Sequence, residues 1–219
     1  MDFVLDLTVL NTERIFVFGE LKGNYASLIN ILYDQKFTWK DTLVTTGNFV
    51  DYEEEKSLDL TYFLKNNKNT YSVKGKNEFN LLTTENPPLW YKNEETKNDI
   101  KSFLEELPVI IKVADNTFVV NAGVEPGKRM PEQNPEVFYS IGDYDKDSRF
   151  YQFENPDKKS WYEYEFIEDG CLMKFIFGGK GFSEEKVPAG YAIGRNGEEK
   201  LKCLIVNNKN SDFVLVQDF

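Results

Sequence analysis

Arg14-Ile15-Phe16-Val17-Phe18-Gly19-Glu20-Leu21-Lys22-Gly23 is the stretch on which the reading of the chain turns. Four apolar residues closed by a glycine read as a buried strand that turns sharply. From Tyr25 to Gln35, Leu28, Ile31 and Leu32 then recur at helical spacing, which predicts a helix with one buried face. A strand, a glycine turn and a helix place polar residues at the carboxyl end of a strand, where α/β proteins carry their chemistry. In this turn those residues are Glu20 and Lys22.

The same rhythm recurs downstream. Asp41 to Gly47 reads as a second strand ending in glycine, followed by the acidic run Glu53-Glu54-Glu55 and a helix carrying Leu58, Leu60, Phe63 and Leu64. The acidic run suits the positive end of a helix dipole. Thr70 to Val73 is a third strand, closed by Lys74-Gly75 and followed by Lys76, Asn77 and Glu78. Three such units predict α/β layering with polar tips brought side by side. Met1 to Leu10 reads as an edge strand, Glu85 to Asn93 as a loop, and Glu94 to Leu107 as an amphipathic helix stopped by Pro108. From there strands dominate. Val109–Val113 and Thr117–Asn121 form a predicted hairpin. Further strands are expected at Met173–Phe177, Tyr191–Ile193, Leu201–Val206 and Phe213–Val216. There is no internal repeat and no low-complexity linker, so residues 1–219 read as a single domain.

Composition narrows the function classes. Apolar content of 41% is enough for a full core. A net charge of −11 argues against a nucleic-acid backbone and against anionic lipid as partners. No basic region precedes an apolar run at the start, so no signal peptide is expected. No apolar stretch is long enough to span a bilayer, so a cytoplasmic protein is expected. Cys171 and Cys203 sit in apolar-flanked segments and read as free thiols of a reducing compartment; the sequence leaves a disulfide between them open. The chain has no histidine, which removes the commonest metal ligand and the usual proton shuttle at neutral pH.

Five short motifs then come into view in order. They are Gly19-Glu20-Leu21-Lys22-Gly23, Gly47-Asn48-Phe49-Val50-Asp51-Tyr52, Gly75-Lys76-Asn77-Glu78, Asn121-Ala122-Gly123 and Phe177-Gly178-Gly179-Lys180-Gly181. In order and context this series resembles the calcineurin-like metallophosphoesterases. The segments Gly123-Val124-Glu125-Pro126-Gly127 and Glu132-Gln133-Asn134-Pro135-Glu136 look most like the diadenosine tetraphosphate hydrolases and phage-type serine/threonine phosphatases. The resemblance implies an α/β/β/α sandwich of two mixed β-sheets flanked by helices.

It also implies where metals would be held. The family's six ligand positions fall on Glu20, Lys22, Asn48, Lys76, Asn121 and Gly179, where the family carries Asp, His, Asp, Asn, His and His. The family's catalytic acid falls on Asn77, and its phosphate-binding arginines fall on Tyr52 and on Gly142 behind Ser140-Ile141. Asp51 and Glu78 alone keep the family's residue type. The family reaction needs two divalent ions about 3.5–4 Å apart. An ammonium has no lone pair to give a metal, asparagine is a weak neutral ligand, and glycine offers no side chain. The expectation is therefore no metal, no cofactor and no catalytic residue, with Lys22 and Lys76 supplying positive charge against Glu20.

The functional expectation that follows is a pseudo-phosphatase that binds another protein as a scaffold or regulator. Two alternatives stay open: a metal-independent binder of phosphate or a nucleotide through Lys22, Lys76, Asn77 and Asn48, and a residual phosphoesterase. Asparagine- and lysine-rich composition and the phage-type resemblance point to a viral or low-GC bacterial source, with host cytoplasm or the virion as the place of action if viral. Asp143 to Glu168 is an aromatic-rich stretch (Phe150, Tyr151, Phe153, Trp161, Tyr162, Tyr164, Phe166). It reads either as a cap or docking surface over the old cleft or as a hairpin whose aromatics pack on the sheet.

Overall fold

The computed structural model describes residues 4–51, 56–139, 143–144, 151–152, 160–178, 186–193, 200–207 and 212–217, with 143–144 and 151–152 through their backbone alone. In chain order the elements are β1 (Val4–Asp6), β2 (Arg14–Phe18), α1 (Tyr25–Asp34), β3 (Thr42–Thr45), α2 (Lys56–Asn66), β4 (Thr70–Ser72), α3 (Lys76–Thr83) and α4 (Glu94–Glu106). There follow β5 (Ile110–Ala114), β6 (Thr117–Val120), β7 (Asp143–Tyr144), β8 (Tyr151–Gln152), β9 (Phe166–Glu168) and β10 (Cys171–Phe177). The last are β11 (Lys186–Val187), β12 (Gly190–Ala192), β13 (Lys202–Asn207) and β14 (Asp212–Gln217). Four short 3-10 turns lie at Leu89–Tyr91, Met130–Glu132, Pro135–Phe138 and Trp161–Glu163.

Two mixed sheets stack face to face. One runs β14-β13-β2-β3-β4 and the other β1-β5-β6-β10-β12-β11, with β9 added to β10. The first half supplies parallel neighbours through helical crossovers, β2 with β3 and β3 with β4. The second half adds antiparallel pairs, β5 with β6 and β13 with β14.

The alternation of side chains explains why β2 is apolar at four successive positions. Phe16 and Phe18 face a cluster shared with Leu28 and Ile31 of α1, Leu60 and Leu64 of α2, Leu81 of α3 and Ile100 and Leu104 of α4. Ile15 and Val17 face the opposite way, into a second cluster between the sheets with Val44, Val119, Ile176 and Leu204. A strand covered on both faces has no position left for a polar residue. Each such side chain removed from water contributes about 1.5–3 kcal/mol before the entropy of ordering is counted.

A third cluster covers the outer face of the larger sheet. Phe118, Val120, Phe175 and Phe177 meet Val124 and Phe138 from the loop after β6, together with Trp161 and Phe166. Among the described residues this outer layer is built from 3-10 turns and loop, while all four α-helices pack on the smaller sheet. Trp161 makes edge contacts with Phe177, Phe175 and Phe166. The described part of the aromatic stretch, Trp161 to Phe166, packs onto the sheet. Phe150 and Phe153 lie outside the described residues.

Cys171 is exposed and Cys203 buried, and both thiols are free. No helix among the described residues is long and apolar enough to cross a membrane.

Candidate functional site

The carboxyl ends of β2, β3, β4, β6 and β10 converge, and glycine makes the convergence close. Gly47 has a φ of +78°, and a Cβ there would lie 2.7 Å from Gly75 N. A Cβ on Gly75 would lie 2.4 Å from Asn48 N, and one on Gly178 would lie 2.7 Å from Thr46 Oγ1 and 3.1 Å from Glu20 Cγ. The second and third motifs therefore touch through backbone, and Gly178 of the fifth leaves room for the Thr46 and Glu20 side chains.

The loop after β2 is tied to the loop after β3. Lys22 N and Gly23 N donate to Asn48 O and Phe49 O at 3.0 and 2.9 Å. Lys22 and Asn48 both hold positive φ, 45° and 52°. Asparagine accepts this conformation readily and lysine less so, so the backbone bonds fix what the lysine would otherwise avoid.

Asn48 is the hub. Its Nδ2 donates to Glu20 Oε1 at 2.7 Å, and its Oδ1 accepts the Asn77 N–H at 2.9 Å. Its own N–H donates to Glu78 Oε2 at 2.8 Å. Glu78 is fully buried and also accepts from Gly75 N at 2.9 Å and from Val50 N at 3.0 Å. Burial pushes its carboxyl up to about 7, with those backbone N–H groups pulling the other way. Asn121 works in parallel: its Nδ2 donates to Thr46 O at 2.6 Å and its Oδ1 accepts the Lys76 N–H at 3.3 Å. Gly178 N donates to Asn121 O at 3.1 Å.

Charge is settled within the same cluster. Glu20 is only 7% exposed. Its Oε2 has no hydrogen-bond donor, and Lys22 Nζ sits 2.7 Å from it as an ion pair, off the angle of a hydrogen bond. Lys22 is the lysine that meets Glu20. Lys76 joins through its backbone N–H, and its side chain is exposed on α3. Asn77 is half-buried and donates through Nδ2 to Val50 O at 2.8 Å. Tyr52, Gly142 and Gly179 lie outside the described residues.

These groups do not fit a pair of divalent ions. The Asn48 and Asn121 carbonyls are the two that could face a metal, and both are taken by N–H groups at the start of α3. The Glu20 carboxylate is shared between an amide and an ammonium. Among the described residues no group of three or more His, Cys, Asp or Glu side chains could hold a metal.

Glu125, in the loop after β6, anchors a second cluster. It is buried, with Oε1 2.8 Å from Lys128 Nζ and Oε2 accepting from Asn134 N at 2.9 Å. Gln133 closes the loop by accepting from Glu125 N at 2.6 Å and donating to Glu125 O at 3.1 Å. This locks the segment from Gly123 to Asn134 over the outer cluster. Only the conjunction of acid, glutamine and asparagine in a proline-rich loop hints at it from sequence.

The same architecture is found in solved structures. A candidate diadenosine tetraphosphatase is 22% identical, with a TM-score of 0.75 over 99% of this chain and 98% of that one. A serine/threonine phosphatase from Saccharomyces cerevisiae with similarity to human PP5 is 15% identical, with a TM-score of 0.61 over 98% of this chain and 82% of its own. A metallophosphoesterase from Sphaerobacter thermophilus is 14% identical, with a TM-score of 0.52 over 95% and 89%. No protein-family model and no curated protein matches the chain by sequence. The chain has the calcineurin-like metallophosphoesterase fold, the fold of a metal-dependent phosphoesterase family, with two mixed sheets flanked by helices.

Proposed function

We propose that the chain is a catalytically inactive phosphatase-like protein that uses its scaffold to bind another protein. One observation carries the reading. The groups at the positions where the resemblance implies metal ligands bond to each other and to their neighbours: Asn48 to Glu20 and Asn77, Asn121 to Thr46 and Lys76, and Lys22 to Glu20. What would be an open coordination site is instead a hydrogen-bonded knot joining the strand tips. Such a knot keeps the fold without needing ions. If the source is viral, a virion component or a factor acting on host machinery fits the same reading. The test is turnover of a generic aryl phosphate with and without manganese. No turnover above the uncatalysed rate is expected, and robust manganese-dependent turnover overturns the reading in favour of a residual hydrolase.

A second reading has its own observation. The Phe79 and Tyr139 rings stack at 5.0 Å and 18°, Phe79 is 38% exposed, and it lies one helical turn from exposed Lys76. A ring pair beside a lysine suits the base and phosphate of a nucleotide. Against it, the N–H groups that open α3 already have acceptors, so the usual anion-binding feature is used up. A thermal-shift screen with nucleotides and phosphate separates the readings. A shift lost in Lys22→Ala plus Lys76→Ala supports the nucleotide reading, and no shift with any anion leaves the scaffold.

A further inference from the structure

Among the described residues, β14 and β11 end the two sheets on one side of the sandwich. β14 runs Asp212-Phe213-Val214-Leu215-Val216-Gln217 and pairs with β13 at all six positions. Among the described residues its outer side pairs with no strand. Phe213 and Leu215 turn inward to the inter-sheet cluster, and Val216 packs on the helix side. Val214 is 54% exposed. Natural edges are blunted by lysine, proline, a bulge or short length, and these six residues carry no lysine or proline and pair without a register shift.

A cavity of about 440 Å³ lies beside this edge, lined by Leu172, Lys174, Lys186, Val187, Pro188 and Tyr191 among others. Tyr191 stacks on Phe213 at 4.8 Å and Lys174 Nζ sits 5.6 Å from the Phe213 ring, so cavity and edge are continuous. Among the described residues the lining holds two ammoniums and no carboxylate, in a chain whose net charge is −11. The region extends from the pole opposite the strand tips along the length of β14. Leu172 and Lys174 lie in the first four residues of β10, Asp212 pairs through Asn207 with Arg14 at the start of β2, and Val216 pairs through Cys203 with Phe18 at its end.

We infer that β14 accepts an extended, acidic peptide segment of a partner protein, added as a further strand, with carboxylate side chains meeting Lys174 and Lys186. Main-chain hydrogen bonds to an open edge supply affinity, and side-chain pockets supply selectivity. The local charge selects the partner class, because two ammoniums beside an apolar floor favour carboxylates and reject cationic strands. A second copy of the chain is the poorer occupant, since each copy carries the full acidic charge and pairing edge to edge leaves the lysines without counter-charges. The inference rests on the protein-binding reading above for its biological sense, but its site is separate from the former metal positions.

The test is fluorescence anisotropy with a short labelled peptide of alternating valine and glutamate, compared with the same peptide carrying lysine for glutamate. Saturable binding of the acidic peptide is expected. Binding should be about tenfold weaker for the lysine peptide and for Lys174→Glu plus Lys186→Glu, and similarly weakened by Val214→Lys on the exposed face of β14. Circular dichroism checks that the variants are folded. Absence of saturable binding, equal affinity for both peptides, or affinity unchanged in the folded variants overturns the inference. So does a wild-type dimer in sedimentation that Val214→Lys dissolves, because the edge would then belong to a second copy. A failure here leaves the phosphatase assay and the metal content of the former site unaffected, so the two readings fall separately.

Discussion

Lys22 Nζ lies 2.7 Å from Glu20 Oε2, and the two side chains are 20% and 9% exposed. An ammonium thus occupies the counter-charge position beside the first tip's carboxylate. Lys22→Met removes the cation and leaves a nearly buried carboxylate facing only the Asn48 amide. Breaking a fully buried pair costs about 3–5 kcal/mol, and partial exposure of Lys22 reduces this to about 1–3 kcal/mol. Urea unfolding measures it. Glu20→Gln combined with Lys22→Met should recover most of the loss, because neither charge is then stranded.

Asn48→Asp installs the residue type that the sequence resemblance implies at this position. In this chain it replaces the Nδ2 donor, 2.7 Å from Glu20 Oε1, with a second carboxylate oxygen. The bond is lost and two like charges face each other, so a destabilisation of about 2 kcal/mol or more is expected. Unfolding with and without manganese checks it. A variant as stable as the parent would show that the amide bond does not hold the tips together.

Glu78 gives the site a pH signature. Its folded-state carboxyl, pushed up by burial to about 7, stands above the ordinary value of 4.5. Between those values the folded chain binds more proton than the unfolded chain, so stability falls as pH rises. The contribution is fully present below pH 4.5 and is lost as pH rises through about 7. Glu78→Gln should be less stable overall, because an NH2 would face a backbone N–H that now donates to the carboxylate. It should also lose this falling limb. Melting temperature of both proteins between those pH values measures the difference.

Arg14 and Asp41 form a second charged clamp, away from the tips. Nε donates to Oδ1 at 2.9 Å and Nη2 to Oδ2 at 2.8 Å, while Nη1 and Nη2 also reach Gln35 O and Lys36 O after α1. Burial raises the Asp41 carboxyl, but Arg14 and Thr38 outweigh it, and the group sits below the ordinary carboxylate range. Its stabilisation is present above the unfolded value of 3.8 and lost as pH falls through the lower folded value. Asp41→Asn should cost about 2–4 kcal/mol at neutral pH and flatten the acid limb of the stability curve.

The fold was legible because glycine and apolar runs report local necessity. Four apolar residues before Gly19 require a strand buried on both faces, and the close approach of Gly47 to Gly75 N explains the glycine that closes β3. The hairpin of β5 and β6 and the edge position of β1 follow the same local patterns. Two short strands, β9 and β11, carry no such pattern: each spans two or three residues and exists through pairing with β10 or β12. At the site, the sequence pointed to Glu20, Lys22, Asn48, Lys76 and Asn121, and the structure brings these residues to neighbouring strand tips. Residue types could not reveal that the asparagine amides would turn to cap α3, since those bonds join residues 29 and 45 positions apart. Nor could they separate Lys22, held at the carboxylate, from Lys76, whose side chain lies on the surface of α3.

Metal content after equilibrium dialysis against manganese tests the central claim most directly. With Lys22 at Glu20, and Asn48 and Asn121 committed to α3, the chain should retain no manganese above the level of a histidine-free control protein of similar charge. Retention of two tightly held ions per chain, lost on Glu20→Ala, would contradict the account.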